Sequence, residues 1–231
     1  MNPFLFDARL IPVVIGLAMQ FSTAQQPSQI LQIYREALKP GTRAAYQKVE
    51  EDTARLCAEF SCPHPYLAIE SLTGSKEVWF LNGYESTSEQ KQVVDDYAKN
   101  VKLMAELKQN SRRKARLTKA AVNVFANHRQ DLSRGVLWIM GHGRFLVITV
   151  IKSSPRINGT VFEAADSTRF IVKATHTLSE AEATAVVAGQ ESMVFAVRPS
   201  WSFPAKEWVV ADPVFWRGQT RWDRSIFKKS K

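Results

Sequence analysis

Histidine is the side chain best suited to acid–base chemistry near neutral pH, and the sequence places three of its four histidines in informative contexts. His128 follows the strand-like run of residues 122–126, where its imidazole would face a cleft between sheet and helices as an acid, base or ligand. His64 stands between two prolines, where a solvated loop position is the simpler expectation. His142 stands between two glycines, which is typical of a tight turn. His128 is therefore the histidine most suited to a functional role.

Three aromatic side chains lie on or beside predicted strands: Tyr34, Trp79 and Tyr84. Large rings at such positions pack in a core, or they wall a pocket that binds a small apolar or aromatic ligand. Packing in the core is the simpler role. Together with His128 these three residues make up the candidate pocket that the sequence predicts.

Neither a phosphate-binding glycine loop nor an HExxH or GxSxG motif occurs in the sequence, so no catalytic class is predicted. Cys57 and Cys62 are the only two cysteines. One lies near a predicted helix end and the other just past it, so a disulfide is geometrically feasible in an exported chain, but spacing alone leaves it open. Only His64 lies close by, so we expect no zinc site and no other metal or cofactor.

The composition is that of a folded basic protein, with 231 residues, 45% hydrophobic residues and a formal net charge of +9. Such a length builds one large domain or two small ones. The charge permits anionic partners, although an exported protein with a basic surface is the simpler interpretation. Two basic clusters stand out, and neither is interleaved with stacking aromatics, so no specific nucleic-acid binding is expected. They are Arg112, Arg113, Lys114 and Arg116, and Arg217, Arg221, Arg224, Lys228, Lys229 and Lys231.

The beginning of the chain has the pattern of a targeting segment. Residues 11–19 form an apolar core that is too short to span a bilayer, and the small residues Ser22, Thr23 and Ala24 follow it. We therefore predict a signal peptide over residues 1–24 and export to the periplasm or secretion. An uncleaved anchor or a buried N-terminal segment are the alternatives. No later stretch reaches the roughly 20 apolar residues of a membrane helix.

Residues 66–86 form the clearest element, a β-hairpin in which two alternating runs flank a turn at residues 73–75. A strand over residues 30–36 precedes it. Between them the spacing predicts a helix from Thr42 to Phe60. Its apolar stripe is Tyr46, Val49, Leu56 and Phe60, with Thr53 in the gap and with Glu50, Glu51 and Asp52 largely off it.

A longer helix is predicted to begin at Ser86 or Ser88 and either to continue or to break near Asn110. Short strands are predicted at residues 122–126 and 137–140. The resulting order β-α-β-β-α-β is that of the ferredoxin-like α+β fold. Such a sheet leaves one face in need of a partner, from the same chain or another. The stripe of the long helix is Val94, Tyr97, Val101, Met104 and Leu107.

The second part of the chain repeats these signals in the same order but at shorter spacing. The strong strand at residues 145–152 takes the role of the first strand, and residues 166–180 match the second half of the hairpin. Residues 194–202 match residues 124–133. About twenty residues are missing at each of two places, which predicts one lost helix and another shortened to about residues 179–188. An alternative alignment makes residues 160–175 a helix and residues 183–197 a hairpin.

Three segments resemble the dimeric α/β-barrel superfamily, which includes antibiotic-biosynthesis-type monooxygenases and NIPSNAP-like proteins. They are ILQIYREALKPG from residue 30, the hairpin at 66–86 and the segment at 206–216. The likeness covers about residues 28–217, and the whole chain is most similar to exported bacterial proteins of this shape with no assigned activity. It implies tandem ferredoxin-like repeats over residues 28–135 and 143–217, the second truncated, followed by a basic tail at 218–231. It implies a fold and no catalytic motif.

The leading functional hypothesis is an exported barrel that binds a small apolar or aromatic ligand, or a partner, in the cleft between sheet and helices. By fold analogy alone, the alternative is a cofactor-independent monooxygenase or a haem-handling enzyme. A further alternative is an interaction module for anionic surfaces. The chain is expected to be a monomer with an intramolecular barrel or a homodimer. Trp208, Phe215 and Trp216 are expected to hold the closing segment against the body.

Overall fold

The structure is a computed structural model that describes residues 26–152, 158–188 and 192–217. The predicted signal peptide and the predicted basic tail at 218–231 lie outside these residues.

Eight antiparallel strands form a closed barrel in the order β1-β3-β2-β8-β5-β7-β6-β4, with β4 returning to β1. The first four strands lie in the order β4-β1-β3-β2 and the last four in the order β8-β5-β7-β6. Corresponding strands of the two halves therefore lie in the same spatial order. The strands are β1 (Ile30–Leu38), β2 (Leu67–Ser71), β3 (Glu77–Tyr84), β4 (Thr118–His128), β5 (Phe145–Ile151), β6 (Thr160–Ala164), β7 (Arg169–Thr175) and β8 (Ser192–Val197).

The helices are distributed unequally between the two halves. α1 joins β1 to β2, α2 and α3 join β3 to β4, and α4 joins β7 to β8, but the described part of the β5–β6 connection contains no helix. Two short helices close the described chain after a 3₁₀ turn at Pro199–Trp201. The helices are α1 (Arg43–Glu59), α2 (Thr87–Lys99), α3 (Val101–Ala115), α4 (Leu178–Ala188), α5 (Lys206–Ala211) and α6 (Pro213–Arg217).

The inside of the barrel is a packed apolar core. Alternate residues of every strand point inward, and side chains from α5, α6 and the loop at residues 137–140 pack against them. Trp208 and Trp216 are buried in this core, as expected for the closing segment. A second apolar layer lies on the outer face of β1, β2 and β3, where α1 and α3 cover the sheet. The fold thus has an inner core and a layer between sheet and helices.

Most strand predictions agree with the structure. The hairpin is confirmed, since β2 and β3 pair in antiparallel register with Ile69 opposite Trp79. Strands β6 and β7 lie within residues 160–175, so the alternative prediction of a helix there is wrong. The prediction of a strand at residues 137–140 is also wrong. These residues form a loop outside the sheet, and the side chains of Trp138 and Met140 are buried in the barrel core.

The predicted stripe of the long helix is largely wrong. Val94, Val101 and Met104 are exposed, whereas Val93 and Leu103 are buried. The helix breaks at Asn100, ten residues earlier than the predicted break, and that residue caps α3 by accepting a hydrogen bond from the Leu103 N–H. The interruption changes the helical phase, so one continuous stripe cannot describe both helices.

None of the helices in the described residues is both long and apolar enough to cross a membrane.

Candidate functional site

A cluster of buried charged side chains lies between the outer face of the sheet and helices α1 and α3. Alternation along β1 points Tyr34 and Glu36 away from the barrel core and toward the helices. Glu50 reaches the same place from the middle of α1, and Lys114 reaches it from the last turn of α3. Glu36 is 3% exposed and Glu50 is fully buried.

Lys114 joins the two carboxylates. Its Nζ lies 3.1 Å from Glu36 Oε2, to which it donates a hydrogen bond, and 3.1 Å from Glu50 Oε1. The contact with Glu50 is an ion pair. The Tyr46 hydroxyl donates a hydrogen bond to Glu36. Glu36 thus has two donors, while Glu50 is held by Lys114, with the Tyr46 hydroxyl close enough to lower its pKa as well.

Aromatic rings surround the ammonium group of Lys114. Its Nζ lies 4.7 Å from the ring centre of Phe80, 5.8 Å from that of Tyr34 and 5.9 Å from that of Tyr46. Cations at these distances are attracted by the ring faces. Burial lowers the pKa of Lys114, but Glu50 and Glu36 outweigh burial and raise it. The lysine therefore stays charged inside an aromatic enclosure.

Glu50 is the most perturbed acid of the cluster. Burial raises its pKa from 4.5 to about 7, against the opposing effect of Lys114. Among the described residues, Lys114 and Tyr46 are close enough to Glu50 to lower its pKa, but neither donates to it in regular hydrogen-bond geometry. The buried hydroxyl of Tyr66 is also unsatisfied among them, and burial and then the charge of Glu50 raise its pKa. A carboxyl group that titrates near neutrality is suited to proton transfer.

The cluster meets the surface at Tyr34 and Lys114. Both side chains are partly exposed, whereas Glu36, Tyr46 and Glu50 are buried behind them. Burial, followed by the charge of Glu36, raises the pKa of Tyr34. Any ligand of the cluster therefore has to approach past these two side chains.

The four residues of the sequence-predicted pocket do not share one site in the structure. Tyr34 belongs to the buried cluster, but Trp79 points to the opposite side of the sheet, into the barrel core. Its ring lies 4.7 Å from that of Phe195. Tyr84 is stacked on a histidine outside the barrel, and His128 lies against an aromatic ring near one end of it.

Two polar side chains accompany Trp79 inside the barrel. Its indole N–H donates a 2.7 Å hydrogen bond to Glu77, and the guanidinium of Arg35 lies 4.5 Å from its ring centre. Arg35 and Glu77 also form an ion pair at 2.9 Å. The position of Trp79 is thus fixed by packing and by this pair.

The two histidines near these residues are held by local contacts. His64 stacks on Tyr84 with ring centres 4.6 Å apart and hydrogen bonds to the carbonyl of Gly83. It is buried, so the predicted solvated position is wrong. His128 lies 3.2 Å from the Ser133 hydroxyl, and burial lowers the pKa of both histidines.

Cys57 and Cys62 form a disulfide across the end of α1, with their Cα atoms 4.6 Å apart. It closes a short loop between the helix and β2. Among the residues that the structure describes, no group of three or more histidine, cysteine, aspartate or glutamate side chains is placed to hold a metal ion.

The first basic cluster does not form one surface patch. Lys114 is turned inward, and Arg113 pairs with Asp52 at 2.9 Å. Arg112 and Arg116 are exposed. The second cluster lies almost entirely outside the described residues.

Sequence reasoning missed the two central residues of the site. Glu50 was expected off the buried stripe of α1, and the structure shows it fully buried. Its spacing of four residues from Tyr46 is the signal that places it on that face. Lys114 carried no such signal, because a lysine within a run of basic residues usually faces solvent.

No protein-family model matches the chain, and no curated protein matches it. Two solved structures are similar in shape, and each match covers 74% of this chain and 93% of the other. One, from Fusobacterium nucleatum, is named "Putative monooxygenase", with 10% sequence identity and a TM-score of 0.47. The other, from Lactobacillus acidophilus, is named "putative monooxygenase", with 8% identity and a TM-score of 0.38.

Proposed function

We propose that the buried cluster beneath α1 and α3 opens to bind a small aromatic molecule bearing an ionisable hydroxyl group, and that Glu50 accepts its proton. The observation that carries this proposal is the buried Glu50 carboxyl, whose pKa burial raises to about 7 and whose nearby donors, Lys114 and Tyr46, do not reach it in regular hydrogen-bond geometry. A buried acceptor left open is costly unless a partner fills it. A ligand hydroxyl is such a partner.

The surroundings of Glu50 suit an aromatic ligand of this kind. Transfer of the hydroxyl proton to Glu50 neutralises the carboxylate and leaves a negative charge on the ligand oxygen. Lys114 is close enough to pair with that oxyanion, and the open hydroxyl of Tyr66 is available to donate to it. The number of charges in the site stays constant during the transfer, so no additional charge is buried. The rings of Tyr34 and Phe80 offer faces for stacking.

Binding requires movement at the mouth of the cluster. The described side chains pack closely there, and the partly exposed Tyr34 and Lys114 cover the buried carboxyls. We infer that the ring of Tyr34 turns outward and that Lys114 exchanges its contact with Glu50 for one with the ligand. The proposal therefore predicts that ligand affinity depends on both side chains.

We also propose that the two halves are tandem ferredoxin-like units over residues 28–135 and 143–217, with a truncated second unit. The equal order of strands in each half supports this. The shortened connections around β5–β6 and β7–β8 account for the unequal helices. Export by a signal peptide over residues 1–24 remains a prediction from the sequence.

The test uses 4-nitrophenol, whose phenolate form absorbs visible light. Near pH 7, where part of Glu50 is ionised and part of the free probe is still protonated, the wild-type protein should bind the probe and increase the phenolate absorption. Glu50→Gln keeps the shape of the side chain but cannot accept the proton, so the phenolate signal should fall at least about tenfold. Glu59→Gln, at an exposed position of the same helix, is the control and should behave as wild type. Equal phenolate signals for wild type and Glu50→Gln would overturn the proposal.

Dioxygen uptake in the presence of a hydroquinone distinguishes binding from oxygenation. Uptake that requires Glu50 would extend the proposal to the cofactor-independent monooxygenase alternative. Proton transfer to the protein without uptake would restrict it to ligand binding. The haem-handling and anionic-surface alternatives remain predictions from the sequence.

A further inference from the structure

Strand β4 has an open edge along most of its length. It pairs with β1 throughout, but on its other side it pairs with β6 only at residues 126–128. Within the described parts of the chain, no strand pairs with the outer edge of residues 118–125. The barrel is closed at one end of β4, and the remainder of the strand projects beyond that junction.

Hydrogen bonds at the end of β4 show which backbone groups face β1 and which face the open edge. The His128 N–H donates to Gln29 on the β1 side, whereas the next N–H, of Arg129, donates to Val161 on the β6 side. Backbone groups alternate between the two sides of an extended strand. The N–H and C=O groups that face the open edge are therefore those of Ala121, Asn123 and Phe125, whereas Lys119 lies at a register shift of the β1–β4 pairing.

The side chains along the edge do little to discourage pairing. Val122 is 52% exposed and Phe125 is 41% exposed, and the intervening Asn123 is exposed as well. Residues 118–125 contain no proline or glycine and only one charged residue, Lys119. Natural edge strands are usually protected by several charges, prolines or bulges. On β4 the single charge and a register shift in the pairing with β1 both fall at Lys119, at the beginning of the strand, so residues 120–125 remain a template for another strand.

We infer that the open edge of β4 binds the same edge of a second copy of this chain, in antiparallel register about a two-fold axis through Val122. Placing the axis there sets Ala121 opposite Asn123, so the groups of these residues that face the edge pair with each other, and it brings Phe125 to the register shift at Lys119. This interface is isologous and closes after two copies.

The residues of β4 complement themselves in this register. Val122 meets Val122 of the second copy on one face, flanked by Ala120 opposite Val124. Near the register shift, the single charge, Lys119, comes close to the ring of Phe125 rather than to a like charge. The exposed valines and the phenylalanine thereby gain apolar contacts. This complementarity, together with the absence of opposed charges, favours a second copy over an unrelated strand.

The first test is sedimentation of the full chain over a range of concentrations. Wild type should double its mass as concentration rises. Ala121→Pro removes an N–H that faces only the open edge, so the pairing of β4 with β1 is retained while the dimer is lost. Ala121→Ser keeps the N–H and should dimerise like wild type. A wild-type chain that is monomeric throughout would overturn the inference, as would an Ala121→Pro variant that still dimerises with an unchanged melting temperature.

The second test does not depend on how the proline variant folds. Val122→Cys places one added thiol on the two-fold axis, where Cα atoms of a non-hydrogen-bonded antiparallel pair lie about 4.5 Å apart, within disulfide reach. The two native cysteines are bonded to each other. Mild oxidation should therefore give a covalent dimer of Val122→Cys and little or none of Phe125→Cys, which lies near Lys119 of the second copy. Equal cross-linking of the two variants, or none of either, would contradict the proposed register and its interface.

Discussion

Glu50 links the stability of this protein to pH near neutrality. Its pKa is raised by burial from 4.5 to about 7, so between these values the folded state holds a proton that the unfolded state has released. The stabilisation is fully present below pH 4.5 and is lost as the pH rises through about 7. The same property makes Glu50 a proton acceptor at neutral pH.

Glu50→Gln should remove this pH dependence. Relative to the variant, wild type should lose on the order of 3 kcal/mol of unfolding free energy between pH 4.5 and 7. Urea unfolding of both proteins across this range measures the difference, and other titrating groups cancel. Glu59→Gln, at an exposed position, should track wild type at every pH. A wild-type–variant difference that does not change with pH would show that Glu50 keeps its ordinary pKa in the folded state.

Lys114 should be needed for stability because it compensates two buried carboxylates. Lys114→Met leaves Glu36 and Glu50 without their shared cation, and removing one partner of a buried ion pair costs about 3–5 kcal/mol. Adding Glu50→Gln to Lys114→Met should recover part of this loss, because one uncompensated carboxylate is then absent. Chemical denaturation of the single and double variants measures the coupling.

Lys108→Met is the matched control for the lysine substitution, since Lys108 is exposed on the same helix. It should change the free energy of unfolding by less than about 0.5 kcal/mol. A double variant no more stable than Lys114→Met would argue against direct coupling between Lys114 and Glu50.

At the residue scale, the pairing of the two cysteines was easier to predict from the sequence than the buried charged cluster. Cys57 and Cys62 are close in the chain, so their pairing was foreseeable as one option. The site instead joins Glu36 and Glu50, on consecutive elements, to Lys114, which lies 78 residues from Glu36 in the chain. Such a contact depends on how helices cross the sheet, which local periodicity does not encode.

At the scale of elements, the hairpin was predictable because its alternation is local and both of its strands bury the inward face. The loop that carries Trp138 was mistaken for a strand because its apolar residues pack from outside the sheet. The break at Asn100 was missed because a capping asparagine within an otherwise helical run gives a weak signal. Elements defined by their own pattern were thus predicted better than elements defined by distant contacts.

Trp208, the aromatic residue of α5, should contribute strongly to stability. Trp208 is buried against Trp216, with ring centres 5.8 Å apart, at the end of the barrel core. A Cβ added to Gly141 would lie 2.1 Å from the Trp208 ring, so the loop backbone already touches this side chain. Trp208→Ala should therefore cost about 3–5 kcal/mol of unfolding free energy, measured by urea titration.

Val210→Ala is the control for this substitution, because Val210 lies on the same short helix and is 68% exposed. It should change the unfolding free energy by less than about 0.5 kcal/mol. Similar effects of the two substitutions would mean that α5 does not close the barrel core in solution.

At the scale of the whole molecule, the repeated order of signals in the sequence indicated an intramolecular barrel, and the closed sheet agrees with that expectation. The two junctions between the halves were not predictable. They consist of the pairing of β2 with β8 and of β4 with β6, each across a few residues. Register at such junctions is set by three-dimensional packing of the inward side chains rather than by a turn of fixed length.

The two halves should unfold as one cooperative unit. Trp79 from the first half packs against Phe170 and Phe195 from the second, with ring centres 6.2 and 4.7 Å apart. Separating the halves would expose this shared core and break both junction ladders, so neither half has an independent inner face to bury. Urea unfolding followed by far-ultraviolet circular dichroism and by tryptophan fluorescence should therefore give coincident transitions.

Calorimetry provides the independent check, with equal calorimetric and van't Hoff enthalpies expected for one unit. Phe195→Ala removes a ring that contacts Trp79. It should lower the melting temperature of the single transition without splitting it, because the contact joins the two halves. Two resolved transitions in wild type, with the first half melting separately, would show that each half has a core of its own. The barrel would then be an association of two domains, and its junctions rather than its interior would limit stability.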